Sequence, residues 1–141
     1  MSCFFLLLSL VLYCAYASAQ FTVTQDASVS ASPGETVRLT CSRSGGSVAG
    51  GNYPSWYYQT PGSPPKLLVY SSSSTNQNNR PSGIPDRFSG YISGGLAVLS
   101  ISSVQSTDDG VFHCLLHADS SVSTVVYGDE EHVQIPPACP I

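Results

Sequence analysis

Asp108-Asp109-Gly110-Val111-Phe112-His113-Cys114 is the stretch on which the fold of this chain turns. Its cysteine has a counterpart in Cys41, which closes the apolar alternation Val37, Leu39, Cys41. A period of two puts those three side chains on one face of a strand. Between the cysteines lies the only tryptophan, Trp56. A bridge between Cys41 and Cys114 would close a long loop and stabilise the fold by about 4 kcal/mol on the chain-entropy argument. The alternative is a pair of buried thiols.

The 141 residues suit one domain. Hydrophobic residues make up 42% and charged residues 10%, which excludes a disordered chain. The net charge of −4 offers no basic footprint, so no nucleic-acid partner is expected. Residues 1–19 read as a secretory signal. Phe4 to Tyr13 is apolar, and Ala17-Ser18-Ala19 supplies a small-x-small cleavage site before Gln20. The run is short for a membrane span and no other approaches it. The mature chain is therefore expected to be secreted, or at the cell surface within a complex, where disulfides persist. Of the five cysteines, Cys3 and Cys14 would leave with the signal; Cys41, Cys114 and Cys139 remain, one pair and one leftover thiol. No C-x-x-C or close histidine pair suggests zinc, and neither a metal nor a cofactor is expected.

Along the chain, Gln20 to Val29 alternates loosely and breaks near Asp26, and Ser32-Pro33-Gly34-Glu35 reads as a turn. Strands are expected over Thr36–Ser42, Ser55–Thr60 and Lys66–Tyr70. The Gly- and Ser-rich segment 42–54 reads as an exposed loop. Ser71 to Asn79 has no apolar residue and reads as a long solvated loop that buries nothing. Asp86–Ile92 and Leu96–Ile101 form an expected antiparallel pair around Ser93-Gly94-Gly95. A corner with a short helical turn follows over 104–110, then a strand over Val111–Leu116. Short strands at this spacing predict an all-β, two-sheet sandwich with Leu39, Trp56, Leu99 and Phe112 in its core.

Several motifs then agree in order. Cys41, Trp56-Tyr57-Tyr58-Gln59, Pro61-Gly62 and Lys66-Leu67-Leu68-Val69-Tyr70 resemble the framework of an antibody light-chain variable domain. Arg80-Pro81-Ser82-Gly83-Ile84-Pro85-Asp86-Arg87-Phe88-Ser89-Gly90 is similar to the lambda type, and Asp108-x-Gly110-x-Phe112-x-Cys114 matches the family's D-x-A/G-x-Y-x-C. The resemblance covers about residues 20–122. It implies an immunoglobulin V-type Greek-key sandwich with a Cys41–Cys114 disulfide and an Arg87–Asp108 ion pair. It implies a face of Tyr57, Gln59, Pro65, Leu67, Tyr70 and His113 that pairs with a heavy-chain variable domain. Antigen, of unknown identity, would meet the loops 42–54, 71–79 and 115–122, with Tyr53, Ser72, Asn76, His117 and Asp119 as contacts. Phe112 stands where the family has a corner tyrosine, a hydroxyl bond of about 1 kcal/mol forgone. His113 stands where the pairing face usually has tyrosine, and the loop 71–79 is longer than in most lambda domains.

After Leu116 the family pattern stops. A joined light chain continues into Phe-Gly-x-Gly-Thr; here Tyr127-Gly128-Asp129-Glu130 lacks the second glycine. Acids stand where an edge strand should begin, and Pro136, Pro137 and Pro140 cannot continue a ladder. The expectation is a domain over 20–122 that lacks a proper last strand and leaves a sheet edge open, with 123–141 as a non-domain tail. Ser123-Thr124-Val125 can be encoded through CACAGTG, a recombination-signal heptamer, and Val133 to Pro136 through a near match to the nonamer. That implies an unrearranged germline segment translated through its own signal. The competing identity is a surrogate-light-chain (VpreB-like) protein, which pairs with heavy chain without binding antigen.

No enzyme is expected. His113 and His117 sit on a strand and loop, where a spacing of four does not converge as it would on a helix. Cys139 and His132 lie in the tail with no scaffold. Gly45-Gly46 and Gly50-Gly51 precede no helix that could cradle phosphate.

Overall fold

The computed structural model describes residues 2–16, 21–26, 28–119, 122–127 and 131–134. Ser2–Tyr16 form helix α1, whose Phe4, Phe5, Leu6, Leu7, Leu8 and Leu10 are exposed. Among the described residues no helix is long and apolar enough to cross a membrane. The expected cleavage site lies outside the described residues.

The break near Asp26 is a change of sheet. β1 (Val23–Gln25) pairs antiparallel with β3 (Val37–Arg43), whereas β2 (Ser28–Ser30) belongs to the opposite sheet. The first sheet runs β1-β3-β7-β6, with β6 spanning Phe88–Ser93 and β7 Leu96–Ile101. The second contains β4 (Ser55–Gln59), β5 (Lys66–Tyr70) and β8 (Gly110–Asp119). Two further strands, β9 (Val122–Tyr127) and β10 (Glu131–Gln134), complete it, in the order β2-β10-β8-β4-β5 with β9 also on β8. This is the all-β, two-sheet sandwich that the alternation predicts.

The alternation of β8 is uninterrupted. Phe112, Cys114, Leu116 and Ala118 are buried, and Val111, His113, Leu115 and His117 are half-buried on the other face. Cys41 and Cys114 are disulfide-bonded across 73 residues, with Cα atoms 6.4 Å apart, in a core with Leu39, Trp56, Leu99 and Phe112. Each of these residues is at most 1% exposed.

The expected absence of a last strand is corrected. β10 lies between β8, to which it is antiparallel, and β2, to which it is parallel. The prolines that seemed to forbid a ladder come after Gln134, so they interrupt nothing. Val133 supplies the one apolar side chain the position needs and is fully buried. The sheet thus extends past the expected boundary at residue 122, while 135–141, with Cys139, lies outside the described residues. Leu115 faces Tyr127 and Phe112 faces Glu131. No described residue of β9 or β10 pairs with His113 or Cys114, which lie between them on β8. The carboxamide of Gln25, itself buried, bonds there instead. Its Nε2 donates to the Phe112 carbonyl at 3.2 Å and its Oε1 accepts from the Cys114 N–H at 2.8 Å.

Three loop expectations also change. The described residues of the expected loop 115–122 are strand, in the end of β8 and the start of β9, because the ladder between these two strands runs on past Leu116. The segment 42–54 is not simply exposed: Val48, Asn52 and Pro54 are buried, and Gly50–Asn52 forms a 3₁₀ turn. The polar segment 71–79 buries Ser71 and is held by hydrogen bonds along its length.

Candidate functional site

Cross-strand pairing assembles an outward face on the second sheet. Tyr57 lies opposite His113 on one side and Leu67 on the other, and Ser55 lies opposite Leu115 and Tyr70. Directly opposed residues share a face, so Tyr57, Leu67, His113 and Leu115 point away from Trp56 and the disulfide. Tyr57, Gln59, Pro65, His113 and Leu115 line a cleft of about 380 Å³ on this face. Pro65 is exposed and the other four are half-buried. His113 Nε2 is 2.9 Å from Gln59 Oε1, while Gln59 Nε2 donates to the Ser63 carbonyl at 3.0 Å. Both ends of the Gln59 carboxamide are therefore engaged within the chain. Leu67 and Tyr70 belong to the same sheet but do not line the cleft, and sequence reasoning missed Leu115, which does. Its signal was the same alternation that marks His113.

The end of the sandwich beyond β4 and β8 gathers the loops. Ser71 donates its N–H to the Pro54 carbonyl at 2.9 Å, joining the first loop to the second. Asn52 joins the first to the end of β8, in the segment expected as the third loop. Its Oδ1 accepts from the Ala49 N–H at 2.9 Å and from Arg43 Nη1 at 3.4 Å, and its Nδ2 donates to the His117 carbonyl at 2.9 Å. Tyr53, at φ 41°, then meets the His117 ring edge-on, centroids 5.8 Å apart. Of the expected contact residues, Tyr53 and His117 are thus brought together. Ser72 and Asn76 are exposed on the second loop, and the Asp119 side chain lies outside the described residues. Asn52 went unnoticed because nothing local marks a loop asparagine as buried.

At the opposite end, Arg87 holds Asp108 through two bonds, Nη1 to Oδ2 at 2.5 Å and Nη2 to Oδ1 at 2.6 Å. The bond to Asp108 raises the Arg87 pKa further, against the effect of burial. Asp108 Oδ2 also accepts from the Gln105 N–H at 2.9 Å, which closes the 3₁₀ turn Ser106–Asp108. The hydroxyl bond expected to be lost at Phe112 is made from the neighbouring strand. Tyr58 Oη donates towards the carbonyls of Thr107 at 2.8 Å and Asp109 at 3.0 Å.

Among the described residues no group of His, Cys, Asp or Glu could hold a metal ion. The arrangement offers a cleft on one outward sheet face and a cluster of loops at one end of the sandwich. The sequence profile of the immunoglobulin V-set domain matches residues 24–133, a span that takes in the disulfide and β10 as far as Val133. The chain belongs to the immunoglobulin V-set family. Domains of this family typically pair with another immunoglobulin domain, lie outside the cell or at its surface, and are not enzymes.

Proposed function

We propose that the chain is the antigen-recognition variable domain of a lambda-like immunoglobulin light chain, secreted after loss of residues 1–19, and that it pairs with a heavy-chain variable domain. The observation that carries this is the cleft of Tyr57, Gln59, Pro65, His113 and Leu115 on an outward sheet face. A half-buried apolar surface of this kind gains free energy when covered. The meeting of the first loop and the end of β8 at Asn52 supports antigen contact through Tyr53 and His117. In this reading Arg87 and Asp108 are structural, and the gene is an unrearranged segment whose coding DNA spells the heptamer across Ser123 to Val125.

Co-expression with a panel of heavy-chain variable domains tests it. A stable one-to-one complex is expected, weakened about fivefold or more by Leu115→Asp, since loss of a central contact typically costs over about 1 kcal/mol. No complex with any heavy-chain domain would sink the proposal. The surrogate identity calls for assembly that depends on a strand donated by a second chain. β10 already fills the place between β2 and β8, which favours the conventional reading.

A further inference from the structure

Strand β6 is an edge of its sheet, since β7 is its one strand partner among the described residues. Antiparallel pairing on one side leaves the backbone groups of alternate residues pointing outward on the other. Such a row is a template for strand addition. Here Phe88, Gly90 and Ile92 are the alternate residues, and each has an outward group taken by a side chain. Arg80 Nη1 donates to the Phe88 carbonyl at 3.2 Å, Asn78 Oδ1 accepts from the Gly90 N–H at 3.1 Å, and Gln77 Oε1 accepts from the Ile92 N–H at 3.2 Å.

These side chains are themselves held. Arg80 Nη1 also donates to Asn78 Oδ1 at 3.1 Å, and Gln77 Nε2 donates to the Ser74 carbonyl at 2.9 Å. The backbone of Asn79 exchanges bonds with Tyr70 of β5 at 2.9 and 3.0 Å, so the segment is moored to the opposite sheet. The approach is close enough that a Cβ on Gly90 would stand 2.6 Å from Val69 Cγ1 of β5. Only glycine permits it.

We propose that Gln77, Asn78 and Arg80 act as a strand made of side chains, which seals β6 against edge-to-edge pairing with a second copy of this chain. A second copy is the natural intruder because identical edges are self-complementary about a two-fold axis. Tyr91, exposed at the middle of β6, would add apolar contact to that pairing. The inference is independent of what the loops or the cleft bind.

Paired variants test it. Gln77→Ala with Asn78→Ala removes both acceptors, whereas Gln77→Glu with Asn78→Asp keeps an acceptor oxygen at each site. In the alanine pair the amides of Gly90 and Ile92 should exchange about tenfold faster or more, with Leu99 unchanged, as loss of one hydrogen bond implies for local opening. Sedimentation velocity should show new oligomers relative to the parent, and fibril formation should begin sooner. The acid pair keeps both acceptors but loses the Gln77 bond to the Ser74 carbonyl, so its exchange and association should stay nearer the parent's than those of the alanine pair. Unchanged exchange in the alanine pair overturns the proposal, and so does faster exchange without new association. Should the alanine pair fail to fold, Asn78→Ala alone carries the same two readouts at Gly90.

Discussion

Tyr58 and Phe112 face each other across the β4–β8 ladder, rings tilted and 5.0 Å apart, and between them they do the work of one corner tyrosine. The hydroxyl comes from Tyr58 and the buried ring from Phe112. Gly110 belongs to the same arrangement, because a Cβ there would stand 2.5 Å from Tyr58 Cε2. The loss at Phe112 was legible in sequence as a departure from D-x-A/G-x-Y-x-C. Its compensation was not, since residues 58 and 112 become neighbours only through strand register. Tyr58→Phe should cost about 1 kcal/mol of unfolding free energy. Phe112→Tyr should destabilise the parent, where the carbonyls of Thr107 and Asp109 are already taken, and should do so less in the Tyr58→Phe background. A double-mutant cycle in urea reads that coupling, and additive effects would refute it. Burial first, then the charges of Asp108 and Asp109, raise the Tyr58 pKa above its usual 10.0. A group whose folded pKa is raised lends stability that is whole below its unfolded pKa and is lost as pH climbs through the folded one. Parent stability should therefore fall more steeply than that of Tyr58→Phe above about pH 10.

The element that sequence reasoning lost is β10. Its four residues are too few to show alternation, and only Val133 among them is apolar. A strand so short is defined by its neighbours, and these are far off in sequence: the register pairs Val29–Val133 and Val111–His132 join residues 104 and 21 apart. β3, β5 and β7 were legible because each carries its own period or its own turn. Gln25 was hidden for the same reason as β10: its carboxamide bonds to Phe112 and Cys114 of β8, far away in sequence. A chain ending at Tyr127 should lose at least about 2 kcal/mol against one ending at Gln134, from uncovering the Val133 site alone. Chemical denaturation of the two truncations checks this, and equal midpoints would mean that β10 contributes nothing. The same truncation should raise exchange at amides of β2, which has no other strand partner among the described residues.

At the scale of the whole domain, the cleft and the loop cluster share strands β4 and β8 yet rest on different side chains. The framework was readable because disulfide, tryptophan and ion pair recur at fixed places along the chain. The link between the first loop and the end of β8 was not, because a run rich in glycine and serine gives no local hint that Asn52 is only 5% exposed. Asn52→Ala removes the bonds to the Ala49 N–H and the His117 carbonyl, both only partly buried, at a cost of about 1 kcal/mol. Asn52→Asp separates the two bonds, since a carboxylate can accept from Ala49 but cannot donate to His117. The expected outcome is faster exchange of the Ala49 amide in the alanine variant alone, with altered Tyr53 and His117 ring resonances in both. Heavy-chain pairing should be retained by each, because the Tyr57–His113 face touches none of these groups. Ring resonances like the parent's in both variants would show that Asn52 does not set the Tyr53–His117 pair. Loss of pairing in either would show that the loop end and the cleft are one mechanical unit.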